Sequence, residues 1–372
     1  MYYQELSEKD KKQLNDLHEL LTVNKEFCAG YTNNFEFDYS ELYSFLSFGI
    51  NNLGSPELTN RRMATHSIER EVISYFKELM HAPKNAFGYV TTGGTEGNFY
   101  SLTFAAKSLP NAIAVYSEHS HYSIPKILDL LKIPSIQINC DQTGEMNYNH
   151  LKEQLSRKQH HQVIVIATIG TTLTNAIDDI KEIKQSLQQC NISDFHIHAD
   201  AAMYGMVLPF VSEPQAFRFD QGADSIAISG HKLIGGPIPS GIVLTKEKMP
   251  GRYVDVLKDH DLTISGSRNG ITPLFIWYAI KRYGDNGFRK LISDSLEKAK
   301  KLTTQLQSEN IQAWRNENAL SVIIPKPSDK FLKKWLMPTN EVYGQIACLP
   351  KLSEKAMSNL ISDLTKDKRL NG

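Results

Sequence analysis

The stretch QVIVIATIGTTLTNAIDDIKEIKQSLQQCNISDFHIHADAA (162–202) decides the fold. Val163–Thr168 is a short β-branched run, 178–189 carries apolar residues at helical spacing, and Phe195–Asp200 is a second short run. Strand, helix and strand at these lengths predict a βαβ unit and a mostly parallel sheet. The unbroken apolar character of VIVIA predicts a strand covered on both faces. Working outward, further strands are expected at Ile113–Tyr116, Ser135–Asn139, Asp224–Ile228 and Gly241–Leu244, with helices at 123–132 and 148–157. Leu14, Leu17, Leu20 and Leu21 make residues 8–21 an amphipathic helix. After about residue 270 a helix-rich stretch (272–308) leads to an isolated strand at Leu320–Ile324. The expected division is a helical segment at 1–50, a large α/β domain at 51–270 and a small C-terminal α/β domain at 271–372.

The composition bounds the function. The chain has 372 residues, with 41 Lys and Arg against 41 Asp and Glu. Zero net charge argues against a nucleic-acid partner, which needs a basic surface. Cys28, Cys140, Cys190 and Cys348 form no CxxC pair. Their spacing points away from a thiolate zinc site and a disulfide framework, and suits a reducing compartment. The polar start MYYQELSEKDKKQLNDL is not a signal peptide, and no run reaches the roughly 18 apolar residues of a membrane helix. A cytoplasmic location follows as the expectation.

In an open parallel sheet, ligands bind beyond the carboxyl ends of the strands. There the sequence places Ser117 to Tyr122, Ile169 to Thr172, His196 to Ala202 and Ser229 to Lys232. Upstream, Thr92-Gly93-Gly94-Thr95-Glu96-Gly97-Asn98 opens a helical pattern, and a glycine-rich helix start is an anion site. It is neither a Walker loop nor GxGxxG. His196, His198 and Asp200 share one strand face, so a metal hydrolase competes, although Ala201 stands where a further ligand would be expected. Lys232, Asp200 and the Gly94–Asn98 turn together offer an imine-forming amine, a carboxylate for a pyridine nitrogen and donors for a phosphate. That combination points to pyridoxal 5'-phosphate (PLP).

GYVTTGGTEGN (88–98), HYSIPKI (121–127), IGTT-x-x-AIDDI (169–180), HADAAMYGMVLPF (198–210), DSIAISGHKLIGGPIPSGIVL (224–244) and GSRNG (266–270) resemble the PLP-dependent histidine decarboxylases of bacteria. These are group II amino-acid decarboxylases with the PLP-dependent transferase-like fold (fold type I) of the aspartate aminotransferase superfamily. INNLG and HS-x-x-E-x-E-V (50–72) also look like plant serine decarboxylases. The resemblance implies a catalytic set of Lys232, His121 and Asp200. Lys232 would hold PLP as a Schiff base, and Asp200 would keep the pyridine nitrogen protonated. His121 would stack on the ring near the substrate carboxylate, with Ala202 beneath the ring. Gly94, Thr95, Ser229 and His231 would bind the phosphate, and Thr171 would line the ring's hydroxyl edge. His119 falls outside the motif and reads as structural. The implied activity is conversion of histidine to histamine and CO₂ by a homodimer or higher homo-oligomer.

Three departures mark alternatives. Val256 stands where the family has a loop tyrosine, with Tyr253 three residues earlier. Ile271 replaces the histidine after GSRNG, and IACLP (346–350) replaces a histidine-bearing stretch. A different amino acid, such as serine, or oxidative decarboxylation to an aldehyde would be the outcome if these positions govern substrate and protonation.

Overall fold

The computed structural model describes residues 3–31, 34, 36–58, 62–157, 161–255, 257–367 and 369–370. The chain opens with helix α1 (Glu8–Glu26), capped by Ser7, followed by the short strand β1 (Asn51–Leu53) and helix α2 (His66–Leu79). Then come β2 (Phe87–Thr91), α3 (Gly94–Ser108), β3 (Ile113–Ser117), α4 (Ser123–Leu130), β4 (Ser135–Ile138) and α5 (Tyr148–Arg157). The deciding stretch forms β5 (Gln162–Thr168), α6 (Ile180–Gln189) and β6 (Asp194–Asp200), each within two residues of its expected ends. β7 (Ser225–Ser229) and β8 (Gly241–Thr245) complete the sheet, whose order is β2-β8-β7-β6-β5-β3-β4. Pairs β4/β3, β3/β5, β5/β6 and β6/β7 are parallel, and β8 runs antiparallel to both β7 and β2. The mostly parallel α/β sheet is therefore as expected. Val163 to Ala167 are fully buried, as a strand covered on both faces must be.

Beyond the sheet lie a hairpin of β9 (Arg252–Val254) with β10 (Asp259–Asp261), and β11 (Ser267–Asn269), which pairs with β1 across more than two hundred residues. Helix α7 (Thr272–Ser308) is long and broken at Gly284, whose φ of +57° leaves the helical region.

The chain divides into two compact units. The larger comprises 32–294 and 316–319, and so runs past the boundary expected at 270 because it includes the first part of α7. The smaller takes the N-terminal 1–31 together with 295–315 and 320–372. The N-terminal helix thus belongs with the C-terminal part of the chain, where a separate segment at 1–50 was expected. Within this smaller unit, β12 (Ser321–Pro325) and β13 (Tyr343–Ala347) form an antiparallel pair, accompanied by α8 (Asp329–Lys334) and α9 (Glu354–Leu364). Its core gathers Ala29, Leu302, Leu306, Val322, Trp335 and Leu360. IACLP lies here, with Ile346 to Leu349 fully buried, so its apolar character serves packing. Among the described residues, no helix is long and apolar enough to cross a membrane.

Candidate active site

At the carboxyl ends of β5, β6 and β7 the larger unit opens a cavity of about 300 Å³. β2 also ends on this edge, and its continuation Thr92–Gly93 delivers the first turn of α3 to the cavity wall. Eight of the nine residues predicted from sequence line it: Gly94, Thr95, His121, Asp200, Ala202, Ser229, His231 and Lys232. Thr171 does not. Its hydroxyl accepts from Ala176 N (3.0 Å) and meets Thr174 Oγ1 (2.8 Å), so the turn after β5 consumes it, and Thr172 lines the cavity in its place.

Asp200 is held by a chain of hydrogen bonds that fixes every proton along it. A carboxylate can only accept, so Asn98 Nδ2 donates to Asp200 Oδ2 at 2.9 Å. The Asn98 carbonyl then faces His198 Nε2 at 3.0 Å, which makes that nitrogen the protonated one. His198 Nδ1 must accept from Ser225 Oγ (2.9 Å), and Ser225 in turn accepts from His196 Nε2 (2.8 Å). Burial depresses the pKa of His196 to about 4 and that of His198 to about 3, so both are neutral imidazoles. The H-x-H-x-D pattern that suggested a metal thus orients Asp200, with His196 Nε2 and both His198 nitrogens engaged by Ser225 and Asn98.

Lys232 follows β7 in a loop locked from both sides. Its carbonyl accepts from Asn34 N (3.1 Å) and Gly235 N (3.0 Å). Gly235 has a φ of +77°, and a Cβ there would sit 2.5 Å from Asn34 O, so only glycine fits. Burial lowers the Lys232 pKa, opposed in part by the Asp200 carboxylate. His121 Nδ1 meets Ser123 Oγ at 2.7 Å, and its ring lies 4.2 Å from that of the exposed Tyr122. Burial lowers its pKa too, with Asp200 raising and Lys232 lowering it. His231 Nδ1 donates to the Ser240 carbonyl at 2.8 Å. A Cβ on Gly94 would lie 3.1 Å from Ser229 Oγ and 3.7 Å from Ala202 Cβ, so these three sit against one another at the α3 start.

Asn98, Thr168, Thr172 and Tyr122 line the cavity without having been assigned a role from sequence. For Asn98 the signal was present: it stands one helical turn beyond Gly94 and therefore on the same face of α3. Tyr253 sits exposed on β9 with its ring 5.6 Å from His260 and is not a lining residue. Ile271 is buried at the start of α7 and is likewise absent from the lining. Val256 lies outside the described residues.

The residues fit PLP on one observation above all: Asp200 Oδ1 is buried and has no hydrogen-bond partner among the described residues. A pyridinium N–H is the donor such an oxygen requires, since an unsatisfied buried carboxylate oxygen is costly. The pyridoxal-dependent decarboxylase conserved domain matches residues 45–323. The chain belongs to the pyridoxal-dependent decarboxylase family. It is 40% identical to the histidine decarboxylase of Vibrio campbellii (strain ATCC BAA-1116) over 97% of this chain and 96% of that one. With the histidine decarboxylase of Morganella morganii the identity is 38%, over 97% and 98%. Among solved structures, L-methionine decarboxylase from Streptomyces sp. 590 superposes with a TM-score of 0.89 at 23% identity, covering 99% of this chain and 96% of that one. Lactobacillus brevis CGMCC 1306 glutamate decarboxylase gives 0.80 at 18%, covering 98% and 93%. At those identities the structural likeness shows the fold, that of the fold type I PLP enzymes. This member of the family is a PLP-dependent amino-acid decarboxylase.

Proposed function

We propose that the enzyme converts L-histidine to histamine and carbon dioxide. What carries this reading is the overlap with histidine decarboxylases at about 40% identity over 97% and 98% of this chain. Bound in the cavity, PLP supplies an electron sink for the pair left on the α-carbon as carbon dioxide departs.

The chain's own residues then have separable roles. Lys232 is the residue that holds the cofactor covalently; its lowered pKa favours the neutral, nucleophilic amine. Asp200 Oδ1 holds a proton on the pyridine nitrogen, and the chain from Asn98 to His196 keeps that oxygen in place. Gly94, Thr95, Ser229 and His231 bind the phosphate, the first two through the N-terminus of α3, where free N–H groups and the helix dipole favour an anion. His121, whose pKa burial lowers, would pack against the ring near the substrate carboxylate as a neutral imidazole. Ala202 would leave room beneath the ring, and Thr172, which lines the cavity where Thr171 does not, would be the threonine available to its hydroxyl edge.

We place the enzyme in the cytoplasm as a homodimer. Supporting the first are four cysteines without disulfide bonds. Supporting the second is α1, whose Leu14, Leu17, Leu20 and Leu21 are each more than half exposed, an apolar stripe suited to a second copy. The experiment is a product assay by mass spectrometry, with the PLP-loaded protein given each of the twenty amino acids separately. Histamine from histidine alone is expected. An amine from another amino acid, or an aldehyde with ammonia and peroxide, overturns the reading.

A further inference from the structure

Outside the cavity, one group of side chains carries chemistry that decarboxylation does not use. β3 and β4 are parallel neighbours, with Ser117 in register with Ile138. Two residues beyond their ends, the turn after β3 and the segment after β4 therefore meet. Glu118, His119 and Cys140 each bring one ligand atom to that point, and these atoms all lie within 4.8 Å of one another. We propose that Glu118, His119 and Cys140 form a binding site for one divalent transition-metal ion of the zinc class, separate from the cofactor cavity.

The local hydrogen bonds hold the Glu118 carboxylate and the Cys140 sulfur side by side. Cys140 N donates to Glu118 Oε1 at 2.6 Å, which fixes the carboxylate beside the sulfur. Ser117 Oγ lies 2.9 Å from Cys140 Sγ and accepts from His119 N at 3.1 Å. For a thiolate, which only accepts, the Ser117 hydroxyl is the donor, the kind of outer partner that orients metal ligands. Room for the imidazole comes from Gly144, whose φ is +92°: a Cβ there would stand 3.0 Å from His119 Nδ1 and 2.4 Å from Thr174 Oγ1.

A divalent ion bound to one carboxylate, one thiolate and a neutral imidazole leaves a site with no net charge. Carboxylate, imidazole and thiolate are all zinc donors, and three protein ligands leave a fourth position for water. Tetrahedral bonds of roughly 2.0–2.3 Å bring ligand atoms to about 3.5 Å apart, so closure takes about 1 Å of side-chain movement. Glu118 and His119 are both exposed, on the solvent side of the turn. The local-spacing argument from the four cysteines missed this arrangement because Cys140 finds its partners across a strand pair, 22 residues away in sequence.

The test uses the chelator-treated holoenzyme, titrated by calorimetry with zinc ion alone, with cobalt ion as a spectroscopic substitute. One equivalent per chain is expected, with cobalt ligand-field bands in the visible, beyond the cofactor's own absorption. Cys140→Ser and His119→Ala lose the stoichiometric binding, and Ser117→Ala weakens it by roughly 10- to 100-fold. Cys190→Ser retains it. Because His119 is exposed, His119→Ala keeps the test open should Cys140→Ser fail to fold, a point checked by circular dichroism. Absence of stoichiometric zinc binding, or binding that survives His119→Ala, overturns the proposal.

Discussion

Asn98 donates its side-chain amide to Asp200 Oδ2 at 2.9 Å while its own carbonyl accepts from His198 Nε2 at 3.0 Å. A residue of α3 thereby fixes a carboxylate at the end of β6 and leaves Oδ1 buried with no hydrogen-bond partner among the described residues. Truncation in Asn98→Ala strands Asp200 and His198 together. A hydrogen bond to a charged group is worth about 1.5–3 kcal/mol, so PLP affinity should fall by roughly ten- to a hundredfold. Titration of the apoprotein by cofactor absorbance measures it. Unchanged affinity would show that Asp200 needs no such support.

Lys232 is the one lysine lining the cavity among the described residues. Borohydride treatment of the loaded enzyme should therefore leave the cofactor's mass on the peptide containing Lys232. Lys232→Ala should lose both this adduct and turnover. An adduct mapped to any other lysine would refute the assignment.

The motifs at 50–54, 66–72 and 266–270 interlock through a buried ion pair. Arg268 meets Glu69 through Nη1–Oε1 (2.5 Å) and Nη2–Oε2 (3.1 Å), both side chains being almost fully enclosed. Asn52 Nδ2 and Val90 N also donate to Glu69, and Arg268 Nη2 donates to Gly54 O at 2.7 Å. Removing one partner leaves an uncompensated buried charge, so Arg268→Met should cost about 3–5 kcal/mol. Denaturant unfolding of that variant, of Glu69→Leu and of the pair tests this. The double variant should lose markedly less than the sum of the singles, and strict additivity would argue against the pair as a unit.

How far the sequence could be read depends on how local each feature is. The strands of the central sheet are runs such as VIVIA, whose burial needs no partner to be inferred, and the small polar residues after them mark the cavity edge. Thr171 and Thr172 differ because a backbone turn chooses between them: Thr171 N and Oγ1 both close on Ala176, and only coordinates reveal that register. The HIHAD pattern was ambiguous for a related reason. Strand alternation places His196, His198 and Asp200 on one face, but Ser225 and Asn98, which claim the imidazole nitrogens, come from other elements. The β1–β11 pairing joins Asn51 to Asn269, a separation over which no periodicity speaks.

The two buried histidines make a prediction about acid. Burial is the main cause that lowers His196 to about 4 and His198 to about 3, from 6.5. Below about pH 6.5 the unfolded chain takes up protons that the native imidazoles refuse, so unfolding is favoured as the pH falls. Their stabilising contribution is complete above 6.5 and is lost as the pH drops toward 4 for His196 and 3 for His198, at up to ~1.4 kcal/mol per pH unit each. Asp178, which burial pushes up to about 7, works in the opposite sense, because it keeps its proton where the unfolded carboxyl has lost one. The clean observable is therefore a difference between wild type and His198→Gln. That difference in unfolding free energy should shrink by about 1.4 kcal/mol for each pH unit below 6.5. A pH-independent difference would mean that His198 protonates in the native state and that the hydrogen-bond chain to Asp200 is assigned with the wrong protons.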